Sequence, residues 1–314
     1  MAKILVSSAS FDLENNAALM SLKKSGFEIL MNPYSRVLSE DEVLALVQDG
    51  VVGMIADLEP LTRRVLAASK CLKVISRLGT GLDNIDLNAI EEYQIQTYTT
   101  PEAPVQAVAE LTLALILSVL RRVTEADRDL KSGRWKPLMG RLLSHRNVGV
   151  IGYGRIGKRV AELLRAFGAK VLVTDKQPVD TEGEIEYCSF EEIISNSDVL
   201  TLHVPYDSST HRLITRQVLE KMKGGSILIN TSRGKVVDEE ALYEVLVSGH
   251  LAGAGLDTFA TEPYSGPLMS LSQVVLTPHM GSYALETRKQ MEREAAENLV
   301  KGLMAPRVKV TAAS

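Results

Sequence analysis

Cysteine is nearly absent from this 314-residue chain, with only Cys71 and Cys188 present. Two thiols so far apart provide neither a disulfide framework nor the close ligand spacing of a zinc site. No metal is expected, and both read as reduced packing residues of a cytoplasmic protein. Positive charge is not in excess either. The formal net charge is -4 and the lysines and arginines are scattered, so no basic field marks a nucleic-acid partner. Long apolar runs are missing too: the longest, residues 111–120, is too short to cross a bilayer. The N-terminal MAKILVSSAS enters a strand-like run without signal-peptide architecture, and no membrane partner is expected. There is one tryptophan, Trp135, read as a core residue rather than a stacking platform. Internal repeats, low-complexity tracts and flexible linkers are also lacking.

What is present is apolar residue, 45% of the chain, enough for a sizeable core and about two domains. Strand-like runs alternate with helix-like segments throughout, the pattern of α/β layers around parallel sheets. A first set comprises KILVSS, FEILMN, VVGMIA, KVISRLG and IQTYTT; helical segments 40–47 and 61–68 lie between them, the latter with Thr62 as its cap. A second set starts at Val148 and continues through KVLVTD, VLTLHV, SILINTS, AGAGLD and VVLTPH. Between the sets, PEAPVQAVAELTLALILSVLRRV predicts one long helix with Pro104 in its first turn. Its nearly all-round apolar character implies burial between layers or subunits. A final helix over 284–303 is expected to return to the first domain. The expected boundaries are 1–101 with 284–314 for one domain, and 102–283 for the other.

The second set opens on VGVIGYGRIGKRV, in which Gly152, Gly154 and Gly157 form G-x-G-x-x-G between a strand run and a helical pattern. Gly152 allows the tight turn, Gly154 lets the backbone approach a pyrophosphate, and Gly157 lets helix and strand pack closely. Unpaired N–H groups and the positive helix end then favour the anion. Asp175 closes KVLVTD, where a carboxylate accepts hydrogen bonds from the ribose hydroxyls and repels a 2′-phosphate. NAD is therefore expected over NADP, although the adjacent Lys176 softens that repulsion.

In open α/β sheets, ligands bind outside the carboxyl ends of the strands. Following the second set, those ends carry His203 and Pro205, then Arg233, then Asp257 and Glu262, then His279. His279 can exchange a proton near neutral pH; alone, it reads equally well as a loop-packing histidine. A Glu262 carboxylate bonded to it would orient the ring and favour imidazolium. Arg233 suits a surface ion pair, or a planar fork that pairs with a carboxylate and polarises a carbonyl. In RLGTGLDNID, Gly79 and Gly81 make a turn or present N–H groups to an anionic substrate. Arg77 is open to a second anionic group or to a surface or interface role. His203 is expected to shape the cofactor pocket rather than to perform chemistry.

Taken together, RLGTGLDNID, AVAELTLALILS, VGVIGYGRIG, LHVP, ILINTSRGKVVDEEAL, AGAGLDTFATEP and LTPHMGS resemble the D-isomer-specific 2-hydroxyacid dehydrogenases across nearly the whole chain. The resemblance implies a Rossmann-type doubly wound sheet inserted into a smaller flavodoxin-like substrate domain. It implies NAD-dependent hydride transfer between a D-2-hydroxy acid and its 2-keto acid, with Arg233 polarising the keto acid, His279 exchanging the proton and Glu262 supporting His279. It places Thr80 and Gly81 on the substrate carboxylate, Arg155 and Ile156 under the pyrophosphate, Asp175 on the adenosine ribose, and Thr231, Asp257 and Gly281 near the nicotinamide. Glu262 argues against formate as substrate, since formate dehydrogenases of the family carry glutamine there. Arg77 resembles the phosphoglycerate dehydrogenases, so D-3-phosphoglycerate and 3-phosphohydroxypyruvate are the first expectation, in a short form without a regulatory domain. Hydroxypyruvate or glyoxylate reduction is the alternative, and an NAD-sensing corepressor is the alternative of another class. A homodimer through the nucleotide domains is also implied. PEAPVQ and LLSHRNVGVIG depart from the family pattern, which bears on nicotinamide contacts at the first crossover.

Overall fold

The strand runs pair in parallel throughout the computed structural model, which describes residues 1–181 and 183–304. The chain divides into two units: Met1–Pro104 with the chain from Leu285 onward, and Val105–Ala284. Among the described residues, no helix is long and apolar enough to cross a membrane.

The first unit contains β1 (Lys3–Val6), α1 (Ala17–Lys24), β2 (Glu28–Met31), α2 (Glu40–Val47), β3 (Val51–Ala56), α3 (Arg63–Ala68), β4 (Val74–Arg77), α4 (Leu87–Glu92) and β5 (Gln96–Tyr98). Its sheet has the order β2-β1-β3-β4-β5, the flavodoxin-like arrangement. Local chemistry sets the helix starts. The Ser39 hydroxyl accepts from the Glu42 N–H at 3.4 Å while the Glu42 carboxylate accepts from the Ser39 N–H at 2.8 Å, a capping box of the kind whose cap contributes about 1 kcal/mol. Thr62 caps α3 in the same manner, through the Val65 N–H. The last helix, α11 (Leu285–Met304), buries Met291, Ala295, Ala296 and Leu299 against Ile4, Ile55 and Val74 of this sheet.

The second unit contains α5 (Val105–Arg121), α6 (Val123–Lys131), β6 (Asn147–Ile151), α7 (Arg155–Ala166), β7 (Lys170–Thr174), β8 (Ile185–Tyr187), α8 (Phe190–Asn196), β9 (Val199–Leu202), α9 (Arg216–Lys221), β10 (Ile227–Asn230), α10 (Glu239–Val247), β11 (Gly253–Leu256) and β12 (Val274–Leu276). The order is β12-β11-β10-β9-β6-β7-β8. Strand order reverses between β6 and β9, so the crevice for a dinucleotide opens at their carboxyl ends. Three details depart from expectation here. The long crossover helix forms as one element, α5, but a second helix, α6, follows at once beyond Arg122, whose φ of +55° is left-handed. The edge strand β8 was not anticipated, because its three residues IEY carry only one buried side chain. Trp135 is not core: it is 86% exposed, in an irregular segment beyond α6. The apolar face of α5 covers the sheet, with Ala109, Leu113, Ile116 and Leu120 packed among Val148, Val150 and Ile229.

Candidate active site

The turn after β6 uses three glycines in three different surroundings. At Gly152, φ is +92°, and a Cβ would lie 2.4 Å from the His203 carbonyl oxygen. At Gly157 a Cβ would lie 1.9 Å from the carbonyl oxygen of Gly152, so α7 packs on its own leading turn. At Gly154 the position is open, with no heavy atom within 4 Å of a Cβ built there. Gly154 caps α7, a helix of 12 residues. Open space at the positive end of such a helix, kept clear by a missing Cβ, fits a pyrophosphate. Arg155 and Ile156 form the first turn behind it, Arg155 exposed and Ile156 half-buried.

Asp175 follows β7 directly. Its Oδ2 accepts from the Tyr153 N–H and its Oδ1 from the Lys176 N–H, both at 2.6 Å. The carboxylate therefore pins the glycine turn, a task not visible in the sequence, and lone pairs remain for ribose hydroxyls. His203 follows β9 and donates its backbone N–H to Ile151 O at 2.7 Å. Its Nε2 lies 3.0 Å from Thr201 Oγ1, while Nδ1 is buried without a hydrogen-bond partner. Burial pushes the imidazole down to about 3, so the ring is neutral at physiological pH. A neutral ring, on a residue whose backbone carbonyl backs the glycine turn, suits the cofactor-shaping role rather than proton transfer. Pro205 is exposed two residues on.

Arg233, Glu262 and His279 follow β10, β11 and β12, three neighbouring strands. His279 Nδ1 lies 2.7 Å from Glu262 Oε2. Because an ionised carboxylate only accepts, Nδ1 carries the proton and Nε2 is turned to other partners. Glu262 Oε1 accepts from the Phe259 N–H at 2.9 Å. Burial raises the Glu262 carboxyl, but the bond to His279, the imidazole charge, the Phe259 N–H and the nearby Arg233 together hold it below the usual carboxylate value. The Arg233 guanidinium donates to Ser232 O at 2.9 Å, and Asn230 ties the same turn by donating to Arg233 O at 2.9 Å.

Asp257 is buried against the turn that follows β12. It is 1% exposed, its Oδ1 accepts from Thr277 Oγ1 at 2.6 Å and the Met280 N–H at 2.8 Å, and its Oδ2 accepts from the Gly281 N–H at 2.8 Å. Both oxygens thus hold the turn that carries His279, which has a left-handed φ of +50°. Burial raises this carboxyl, against the lowering effect of those hydrogen bonds and of His279. Gly281 is part of the same anchorage. Thr231 Oγ1 lies 2.9 Å from Thr112 Oγ1, whose own proton goes to Val108 O at 2.8 Å. Thr231 is therefore the donor of that pair, and its oxygen keeps acceptor capacity.

In the first unit, Gly79 has φ of +144° and donates to Thr100 Oγ1 at 2.9 Å, ahead of an exposed Thr80 and a half-exposed Gly81. Arg77, at the end of β4, is 3% exposed; its Nη1 lies 3.5 Å from Asp57 Oδ1, and it also donates to Leu78 O. Asp57 was missed, although reading the residue after each strand would have found it: it follows β3 as Asp175 follows β7. Beside it, Glu59 is fully buried; burial raises its carboxyl against the lowering bonds from Ser7 Oγ and the Asp57 N–H.

A family model described as D-isomer specific 2-hydroxyacid dehydrogenase, NAD binding domain, matches residues 113–281. The hydroxypyruvate reductase of Thermotoga maritima is 38% identical over 293 residues, covering 90% of this chain and 96% of that protein. A D-3-phosphoglycerate dehydrogenase of Mycobacterium leprae is 37% identical over 264 residues, covering 82% of this chain and 50% of that protein. Among solved structures, the TT0316 protein of Thermus thermophilus matches with a TM-score of 0.87 at 38% identity, over 96% of both chains.

Proposed function

The chain belongs to the D-isomer-specific 2-hydroxyacid dehydrogenases, NAD-dependent oxidoreductases, and on that premise we propose that it reduces hydroxypyruvate or a similarly short, unphosphorylated 2-keto acid to the D-2-hydroxy acid. The observation that carries the reaction is the 2.7 Å pair of His279 and Glu262 with Arg233 on the neighbouring strand end. Hydride for C2 of the keto acid is what NADH supplies when bound. His279 gives its Nε2 proton to the carbonyl oxygen as that oxygen gains charge, and Glu262 holds the ring and stabilises its protonated form beforehand. Arg233 stabilises the developing alkoxide. Thr80 and Gly81 are assigned the substrate carboxylate, Arg155 and Ile156 the pyrophosphate, Asp175 the ribose, and Thr231 the carboxamide of the nicotinamide through its acceptor oxygen. Asp257 and Gly281 act through the His279 turn.

The unphosphorylated substrate is supported by the burial of Arg77, whose guanidinium is already withdrawn from water beside the Asp57 carboxylate at 3.5 Å. The second reading is 3-phosphohydroxypyruvate, favoured by Arg77 at the end of β4 and by the relative of 37% identity. Steady-state kinetics with NADH decide between them. Hydroxypyruvate is expected to have the higher kcat/KM, and Asp57→Asn to raise kcat/KM for the phosphorylated acid by at least about tenfold. Preference of the unaltered protein for the phosphorylated acid would overturn the proposal.

The partner proposed is a second copy. Residues 122–146 expose Val123, Leu130 and Leu142 together with Trp135 and Met139, the last two 86% and 89% exposed. Large apolar side chains grouped on α6 and the irregular segment beyond it support an interaction surface there.

A further inference from the structure

The segment bearing Arg233 and the segment bearing Glu262 touch through their backbones. A Cβ on Gly234 would lie 1.9 Å from the carbonyl carbon of Phe259 and 2.3 Å from the Ala260 nitrogen. Just beyond Gly234 the chain enters α10, capped by Asp238 through the Ala241 N–H. Glu239 is thus the first residue of that helix, and its side chain turns back: Oε1 accepts from the Ala260 N–H at 2.6 Å. The preceding N–H, that of Phe259, goes to Glu262 Oε1 at 2.9 Å. Two consecutive amides are thereby divided between two carboxylates, one belonging to the Glu262 loop itself and one coming from the helix that follows Arg233.

We propose that Glu239 is a positioning residue for the reduction, holding segment 259–262 in register with the Arg233 turn so that Glu262 meets His279 with Arg233 beside the pair. The β10–β11 ladder fixes the register of the two segments only as far as the Asp257 N–H on Asn230 O at 2.9 Å. Beyond it the Ala260 bond adds a restraint at the loop itself, because it joins α10 to the residue two before Glu262. Loss of that restraint displaces Glu262, and through it the His279 ring, without touching the nucleotide turn at 152–157. Glu239 itself bonds a backbone amide through a single oxygen, so a glutamine carbonyl at the same place can take over the task.

This inference rests on the proposed reaction, and the test separates the two. Full-length protein, Glu239→Ala and Glu239→Gln are compared for kcat with NADH and hydroxypyruvate, for NADH affinity by fluorescence titration, and for amide hydrogen exchange at Phe259 and Ala260. Glu239→Ala is expected to lower kcat by about tenfold, since misplacement by 1 Å costs about a hundredfold, with NADH affinity kept within about twofold. Both amides should exchange faster, and Glu239→Gln should restore kcat and protection together. The proposal is overturned by full kcat and unchanged exchange in Glu239→Ala, by failure of Glu239→Gln to rescue, or by a loss of NADH affinity equal to the loss of kcat. If the unaltered protein reduces no 2-keto acid, the reaction assigned above fails, while exchange at the two amides still decides the clamp.

Discussion

Gly154 and Gly157 belong to one sequence motif, yet their surroundings predict opposite failures when each is replaced by alanine. At Gly157 the new Cβ would sit 1.9 Å from a carbonyl oxygen, where real contacts are no closer than 3.0 Å. The helix or turn must then move by about 1.1 Å, the difference between those distances. Overpacking of this kind costs about 1–3 kcal/mol, which lowers Tm by roughly 2–4 °C per kcal/mol in a unit the size of 105–284. At Gly154 the Cβ meets nothing, and φ of -76° suits any residue. Stability without ligand should change by less than about 1 kcal/mol. The methyl group does, however, occupy the space assigned to the pyrophosphate. In the unaltered protein, NADH at a hundred times its Kd adds about 2.7 kcal/mol of stability. A hundredfold loss of affinity in Gly154→Ala reduces that gain to about 0.4 kcal/mol at the same concentration. Thermal unfolding of both variants with and without NADH reads both numbers. An undiminished NADH shift in Gly154→Ala, or an unchanged ligand-free Tm in Gly157→Ala, would refute the assignment of the turn.

The remaining predictions concern the proton pair, its anchor and the exposed segment. Glu262→Gln should lower kcat by about a hundredfold, measured in steady state. The Glu262 carboxyl lies lower in the folded chain than in the unfolded one, so its stabilising contribution is complete at neutral pH and is lost as pH falls through the lowered value. Acid titrations of stability should accordingly be flatter below the usual carboxylate range in Glu262→Gln; curves parallel to the unaltered protein would argue against the pairing. Asp257→Asn turns an amide donor either towards the Thr277 hydroxyl and Met280 amide or towards the Gly281 amide; losing one bond of this charged kind costs about 1.5–3 kcal/mol. Both Tm and kcat should fall, with full activity telling against the anchor. Replacing Trp135 and Met139 by serine should shift the protein from dimer to monomer in analytical ultracentrifugation, and an unchanged dimer would move the interface elsewhere.

Much of the frame was legible because each part had a local cause. Parallel strands buried on both faces read as continuous apolar runs such as VLTL, and helix starts announced themselves as Ser39 or Thr62 before a periodic segment. The glycine motif was legible for the same reason, since turn, phosphate approach and helix packing all act within residues 152–157. What escaped depended on partners distant in sequence. The anchoring of the His279 turn by Asp257 is one such feature, because the chain does not reveal that residues 277–281 fold back onto both its oxygens. The surroundings of Arg77 were hidden for the same reason, since Asp57, 20 residues earlier, becomes its neighbour only when β3 and β4 pair. Trp135 looked like core from its type alone, and composition does not distinguish an inward apolar residue from an exposed one.

The central claim is that this chain moves a hydride from NADH to C2 of a 2-keto acid and sets the D configuration there. Stereochemical analysis with deuterium at C4 of NADH, on the face that reacts, tests it most directly. With hydroxypyruvate as acceptor, the account predicts D-glycerate carrying one deuterium at C2, formed by the unaltered protein and reduced to a trace in His279→Ala. Glycerate of the L configuration, a product without deuterium at C2, or undiminished turnover in His279→Ala would contradict it.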